Sequence, residues 1–434
     1  MIGVIFFFKT LKNPDNFIRL FLASIIIGPG IKIAGYPLID EYWVIMLLFG
    51  LFMRKIIQPT LINGTINQKK FSAHEVAFIF LTLYFLFQSF RGGLWLEDIR
   101  MFRWIIFFII VGISFFVVSN QSNSINPDQV TKFIIYSSTI YFLLYYLSGF
   151  IYELITGMSK FDLQDDFVAG SSVATFPVLI YLIALLNFSQ RKQYGGISFF
   201  LILSFIIVSW TVVYYDSRSA IFTILGVLGL NFLIQILNRN KKVMSQIFLV
   251  ILFFVVFQIW SFNISDSKRS FTSFLPFDEE LYITIPENLN STSDRSRILA
   301  PKTAFTFVTK KISTTFFGYG WYMNRYEMIE PIREMRKNES MLNLDLSKKK
   351  PYQSSAIIAL LVDTGFVGVF LFLVNLLYGF FEILKTSSKI KYIIGIAYLS
   401  ILLWSFVGTI TPLLLFYFWV MPNNPIILML EKKR

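Results

Sequence analysis

Two arginine-bearing stretches stand out in a chain that otherwise offers little to do chemistry with. In "VVYYDSRSAIFTIL", the residues Tyr214, Tyr215, Asp216, Ser217, Arg218 and Ser219 separate two long apolar runs. In "NSTSDRSRILAPKTAFTFVTKKISTTFFGYGWYMNRY", Asp294, Arg295 and Arg297 precede a helix expected from Ser293 or Asp294 as cap. Ile298, Leu299, Ala304, Phe305, Val308 and Ile312 would form its apolar side. A guanidinium is planar, permanently charged and donates parallel hydrogen bonds, which suits a phosphate or another anion. The plainer reading of Arg218 is an interfacial arginine that snorkels to water or caps a helix. Asp216, two residues away, could hold it in place.

Further along, Gly318 and Gly320 predict a turn flanked by Phe317, Tyr319, Trp321 and Tyr322. Aromatic faces beside a glycine turn suit sugar rings; they equally suit the belt where a membrane meets water. The stretch "KKKPYQSSAIIALLVDTGFVGVFLF" then places Gln353, Ser354 and Ser355 at the mouth of an apolar run and Asp363 inside it. An ionisable residue there is a candidate for a polar cavity, or an acid paired with an arginine for folding. Gly365 and Gly368 read as close helix packing rather than chemistry.

Other templates fail. The chain has no cysteine, so disulfides, thiolate metal sites and a cysteine nucleophile are excluded. Its one histidine, His74, falls near a helix end and reads as a surface residue, which leaves no histidine metal site. There is no phosphate loop of the Walker type, and "GYGWYMNRY" lacks dinucleotide-binding spacing. No cofactor and no metal are expected.

The elements that must position these residues are membrane helices. Of 434 residues, 55% are hydrophobic and only 15% charged, against about 25% charged in a soluble domain; mean hydropathy is +0.63. Apolar segments fall at about 17–37, 42–57, 76–90, 102–119, 133–156, 171–188, 196–214, 219–237, 246–262, 354–383, 392–408 and 412–430. Some twenty such residues rise about 30 Å as a helix, the depth of the hydrocarbon core. The expected fold is therefore an all-α polytopic membrane protein of about twelve spans, a single integral-membrane domain over 1–434. Its one long loop, about 263–353, is expected to carry short helices. The first segment is weak, interrupted by Gly28, Pro29 and Gly30. The opening "MIGVIFFFKTLKNPDN" has no basic region or small-residue cleavage site, so no removable signal peptide is expected.

Lysine and arginine set the orientation. One set of short loops and ends carries about 19 of them, including Lys69, Lys70, Arg191, Lys192, Lys241, Lys242, Lys385, Lys391 and Arg434. The opposite set carries about 6, namely Lys32, Arg91, Arg100, Arg103, Lys160 and Arg218. Both termini are then cytoplasmic, and the "DSRS" turn and the long loop lie outside. The net charge of +13 is a topology signal rather than a nucleic-acid footprint.

In this order — many spans, an outer "SR" turn, a long outer loop with arginine, a "GYG" turn and an "SS…DTGFVG" return helix — the chain resembles the O-antigen polymerase and O-antigen ligase superfamily. These are integral-membrane glycosyltransferases of the bacterial envelope. The resemblance implies that Arg218 and Arg295, with Arg297 as near competitor, bind a lipid pyrophosphate, and that Gly318, Tyr319 and Gly320 form the family's glycine turn. The ligase branch carries a histidine about eleven residues before the return-helix glycine. Counting back from Gly365 reaches Ser354, beside Gln353, so the resemblance favours the polymerase branch.

The implied reaction hands a glycan from undecaprenyl pyrophosphate to a hydroxyl of another lipid-linked repeat unit, outside the cytoplasmic (inner) membrane. The arginines would stabilise charge on the leaving pyrophosphate. A carboxylate would take the acceptor proton, with Asp294, Glu327, Glu330 and Asp363 as open candidates. Tyr319, Trp321, Ser354 and Gln353 are the residues expected to meet substrate. The implied partners are the lipid-linked glycan and membrane lipid; a chain-length regulator is a further candidate that no residue singles out, and nucleic acid is not among them. The rival classes are a ligase-like transferase, a flippase or secondary transporter, and an envelope scaffold. A transporter should show related halves and matching helix interruptions, and neither is visible.

Overall fold

Ser72 starts the first long helix, α1 (Ala73–Arg91), with a reciprocal cap. Its hydroxyl accepts from the Glu75 amide at 3.2 Å, and the Glu75 carboxylate accepts from the Ser72 amide at 2.7 Å. One face of α1 buries Phe78, Leu81, Thr82, Phe85, Gln88 and Ser89, while Phe80, Leu83 and Phe87 stand exposed on the other. The polar side chains Thr82, Gln88 and Ser89 point inward, and the exposed face is apolar, as a helix in lipid requires. Thr82 and Ser89 donate to the carbonyls of Phe78 and Phe85, each at 2.9 Å, so neither hydroxyl needs water.

The computed structural model describes residues 8, 32–33, 36–37, 49–50, 53, 71–93, 102, 104–109, 127–157, 175–191, 199–215, 218–237, 304–323, 356–386, 391–407, 420–422 and 424–430. After α1 come α2 (Pro127–Thr156), α3 (Thr175–Arg191), α4 (Phe199–Tyr214), α5 (Arg218–Leu237), the short α6 (Ile312–Phe317), α7 (Ala356–Lys385), α8 (Lys391–Val407) and the short α9 (Pro425–Leu430). Among the described residues, α1, α2 and α7 are long and apolar enough to cross a membrane. They coincide with the predicted segments 76–90, 133–156 and 354–383. The segments at 171–188, 196–214, 219–237 and 392–408 are helical as α3, α4, α5 and α8. Of 102–119, residues 104–109 are helical, while 42–57 and 246–262 fall almost wholly outside the described residues.

Helices α2, α3 and α4 are joined by hydrogen bonds across their faces. Thr139 and Ser204 hydroxyls lie 2.7 Å apart, Ser204 reaches the Tyr181 hydroxyl at 2.8 Å, and Thr211 donates to the Phe142 carbonyl at 3.0 Å. Asn187 donates to Thr131 at 3.5 Å, which sets α3 antiparallel to α2. Such contacts hold helices together where lipid supplies no hydrophobic drive.

Helix α7 lies antiparallel to α1. Asn375 donates to the Ala77 carbonyl at 3.1 Å, and Tyr84 donates to the Thr364 carbonyl at 2.7 Å. The helix is broken at Gly365, whose φ of 65° and ψ of −169° are closed to residues with a Cβ. The break frees the carbonyls of Val362, Asp363 and Thr364 from their helical partners, and something else must satisfy them.

Four expectations need correcting. The apolar segment 17–37 does not end as helix: Lys32–Ile33 (β1) pairs antiparallel with Tyr36–Pro37 (β2), because Pro37 cannot supply a helical amide. The segment 412–430 does not run through as one helix either. Residues 420–422 form a turn, and α9 restarts with Pro425 in its first position and Asn424 accepting from the Ile427 amide at 3.0 Å. His74 is not a surface residue: it is buried, stacked on Tyr378 with centroids 5.7 Å apart, and its Nε2 lies 3.0 Å from the Val420 carbonyl. The loop helix is bent after Val308 rather than continuous to Ile312. Ala304 and Val308 are its buried side, while Phe305 and Ile312 face out.

Candidate functional site: a glycine turn docked on a broken helix

The carbonyls released at Gly365 are taken by the glycine turn of the long loop. The Tyr319 amide donates to Val362 at 2.8 Å and the Gly320 amide to Asp363 at 2.9 Å. The next amide, of Trp321, donates to the Gln88 carbonyl at the end of α1 at 2.9 Å, and Gln88 also accepts from Gly92 at 3.0 Å. Three backbones therefore meet: the end of α1, the turn 318–321 and the break in α7. A Cβ on Gly318 would stand 2.5 Å from the Asp363 carbonyl carbon, so only glycine allows this approach. Gly320 packs its Cα against Gly92 in the same way. The turn also carries unusual backbone, with φ of 67° at Gly318, 117° at Gly320 and 74° at Tyr322. For a bulky residue such as Tyr322, that conformation costs on the order of 1–3 kcal/mol, a strain that clusters at functional sites.

Side chains lock the junction. Arg91 donates through Nη1 to the Phe317 carbonyl at 2.7 Å, and lies 3.4 Å from Gln88 Oε1. Phe317 ends α6, where a cation is favoured by the carbonyl end of the helix. Trp321 closes the inner side, its ring centroid 4.8 Å from Phe85, 4.9 Å from Phe108 and 5.8 Å from Trp104. Tyr319 stacks on Phe307 at 4.7 Å and 12°.

The structure thus brings together three of the residues singled out by sequence: Tyr319, Trp321 and Asp363. Asp363 is 2% exposed, carried on the buried stretch Ala356–Thr364. Trp321 departs from the expected open aromatic face, since at 4% exposure its ring is enclosed by other aromatics and offers no surface to a sugar. Arg218 is the first residue of α5. The chain entering its turn is fixed to α2: Tyr215 is buried and donates to the Tyr145 carbonyl at 2.8 Å, and Tyr214 donates to the Glu153 carboxylate. The Arg218 side chain, together with Asp294, Arg295, Arg297, Glu327, Glu330, Gln353 and Ser354, lies outside the described residues.

Sequence reasoning missed Arg91, Gln88, Tyr84 and Glu153. From the sequence alone Arg91 reads only as a topology charge. The available signal was "FLFQSFRGG", in which Gln88 and Arg91 fall on one helix face just before two glycines. That is the same polar-in-apolar criterion that singled out Asp363.

Residues 202–373 match the family model described as O-antigen ligase. That match, over part of the chain, supports the O-antigen ligase/polymerase superfamily. The matched segment opens within α4 and closes within α7. It contains the Arg218 turn, the glycine turn and the break at Gly365, whereas Arg91 and Gln88 come from α1, outside it. No curated protein and no solved structure matches the chain significantly. The family match and the apolar helices support an integral membrane protein with a membrane glycan-processing function.

Proposed function

We propose that the chain is a polymerase of a bacterial surface polysaccharide, transferring a glycan from undecaprenyl pyrophosphate to a second lipid-linked repeat unit. The observation that carries this reading over a ligase is the position of the only histidine. His74 begins α1 and the glycine junction sits at its other end, roughly 20–25 Å away along the helix axis at 1.5 Å per residue. The ligase branch carries its histidine about eleven residues before the return-helix glycine, on the side of the glycine junction, where this chain has Ser354. His74 meets α7 only at its far end, at Tyr378. The second reading, a ligase-like transferase, is favoured by the family description alone.

In this mechanism Arg218 and Arg295, with Arg297 adjacent, hold the pyrophosphate and stabilise the charge that develops as the glycosyl bond breaks. The acceptor hydroxyl attacks the anomeric carbon, undecaprenyl pyrophosphate leaves, and a carboxylate takes the hydroxyl proton. Asp363 is buried behind Gly320, which favours it as a charge partner within the site. The proton acceptor is then sought at Asp294, Glu327 or Glu330. Tyr319, Gln353 and Ser354 border the acceptor path, and Trp321 fixes the turn. No nucleotide sugar is required, since the donor already carries its leaving group, and the two arginines take the charge-stabilising role that a divalent metal would otherwise fill.

About twelve spans in the cytoplasmic membrane, with both termini inside, complete the reading. It is supported by the pairing of α1 with α7, which sets His74, shortly after Lys69 and Lys70 in the sequence, beside Tyr378 on the Lys385 side. Arg91 and the long-loop turn share the other end. Deleting the protein and resolving lipid-linked glycans on a gel tests the function: single repeat units should replace the polymer. Long polymer left on undecaprenyl pyrophosphate would instead identify a ligase.

A further inference from the structure

The bent helical stretch before the glycine turn has two unlike faces. Ala304 and Val308 pack against Ile358, Leu361 and Val362 of α7. The opposite face exposes Phe305 at 53%, Ile312 at 80%, Phe316 at 51% and Phe317 at 45%. Ile312 and Phe316 stand one turn apart on α6 and share a side. The threonines among them are turned back on the backbone: Thr309 donates to Phe305, Thr314 to Val308 and Thr315 to Lys311, each at 2.8 Å. Little on this face asks for water.

The exposed face is continuous with a surface that lipid must cover. Phe305 meets Phe366 edge to face at 6.2 Å. Phe366 heads a stripe of exposed residues down α7, followed by Phe370, Leu377 and Phe381, spaced as one helix side. Because α7 is long and apolar enough to span, that stripe faces acyl chains. At the bend sit two exposed lysines, Lys310 and Lys311, with the Lys310 ammonium 5.7 Å from the Phe307 ring. Aromatics on one side and paired lysines at the edge are the pattern of a helix lying in a membrane interface.

We propose that residues 304–317 are an interfacial membrane anchor. Phe305, Ile312, Phe316 and Phe317 insert among the acyl chains of the bilayer that the protein spans, and Lys310 and Lys311 pair with anionic lipid headgroups. The anchor ends at Gly318, so it holds the glycine turn at the depth where a lipid-borne headgroup lies. The inference rests on the spanning helices and not on the polymerase reading.

The absence of native cysteine makes a direct test simple. Single Ile312→Cys and Phe316→Cys variants of the full chain carry a nitroxide label, with Phe370→Cys as the lipid-facing reference. They are placed in nanodiscs of phosphatidylcholine, with or without phosphatidylglycerol, and checked for monodispersity. Power saturation should show both loop labels several-fold more accessible to oxygen than to a water-soluble nickel complex, as at Phe370→Cys. Lys310→Glu with Lys311→Glu should raise nickel accessibility at Phe316→Cys in the anionic discs and leave the neutral discs unchanged. Labels at both positions reached freely by nickel would overturn the anchor and leave the face to a protein partner. An unchanged profile after charge reversal in anionic discs would overturn the lysine–headgroup pairing.

Discussion

The amide of Gly320 donates to the carbonyl of Asp363 at 2.9 Å, joining the long loop to the one break in α7. This bond links the glycine turn to the broken helix, both within the segment matched by the family model. Each stabilises an otherwise unfavourable feature of the other: the turn supplies donors to carbonyls freed at Gly365, and the break gives the strained turn a seat. Gly318→Ala should therefore fail as a folding variant. It forces a Cβ against the Asp363 carbonyl and places alanine at a φ of 67° and ψ of −161°. Backbone strain alone costs on the order of 1–3 kcal/mol. Thermal unfolding in detergent should shift down, and the membrane yield should fall. Gly226→Ala, where an added Cβ meets nothing within 4 Å, should leave both unchanged.

Arg91 should matter through Phe317. Removing a charged donor's hydrogen bond costs about 1.5–3 kcal/mol in ordinary settings, and less where water competes, as it does here. Arg91→Ala should lower polymer formation several-fold while keeping the protein in the membrane, and Arg91→Lys should restore part of it. Full activity from Arg91→Ala would show that α1 merely touches the turn.

Trp321→Ala opens a cavity among Phe85, Phe108 and Trp104 and should destabilise by about 3–5 kcal/mol. Trp321→Phe keeps most of the packing and should retain activity. Loss of activity with normal stability in Trp321→Phe would return the residue to a substrate-contacting role.

Arg218→Ala and Arg295→Ala should each abolish polymer without loss of protein, a drop of roughly a hundredfold or more in rate for a donor lost from a preorganised site. Lysine keeps charge but loses the planar fork, so Arg218→Lys should recover only part. If Arg297 proves essential and Arg295 does not, the motif register is two residues out.

Much of the helical frame was legible because apolar runs of spanning length have few alternatives. The run containing α7 shows where that logic stops. Its hydropathy predicts one uninterrupted helix, and the break at Gly365 follows only from tertiary hydrogen bonds to Tyr319 and Gly320. The turn itself was readable from Gly318 and Gly320, yet its partner on α1 was not. Gln88 contributes its backbone carbonyl, which any residue could offer. Trp321 and His74 were misplaced for one reason. Near a helix end or a loop, an aromatic ring or imidazole looks exposed unless the packing across chain-distant helices is known.

The measurement closest to the central claim is a reaction with purified protein and lipid-linked repeat units alone. Polymerase action predicts a lengthening glycan ladder and stoichiometric release of undecaprenyl pyrophosphate, unchanged by chelator and absent with Arg218→Ala. A reaction that stops with chelator, or proceeds only when a lipid-core acceptor is supplied, would contradict it.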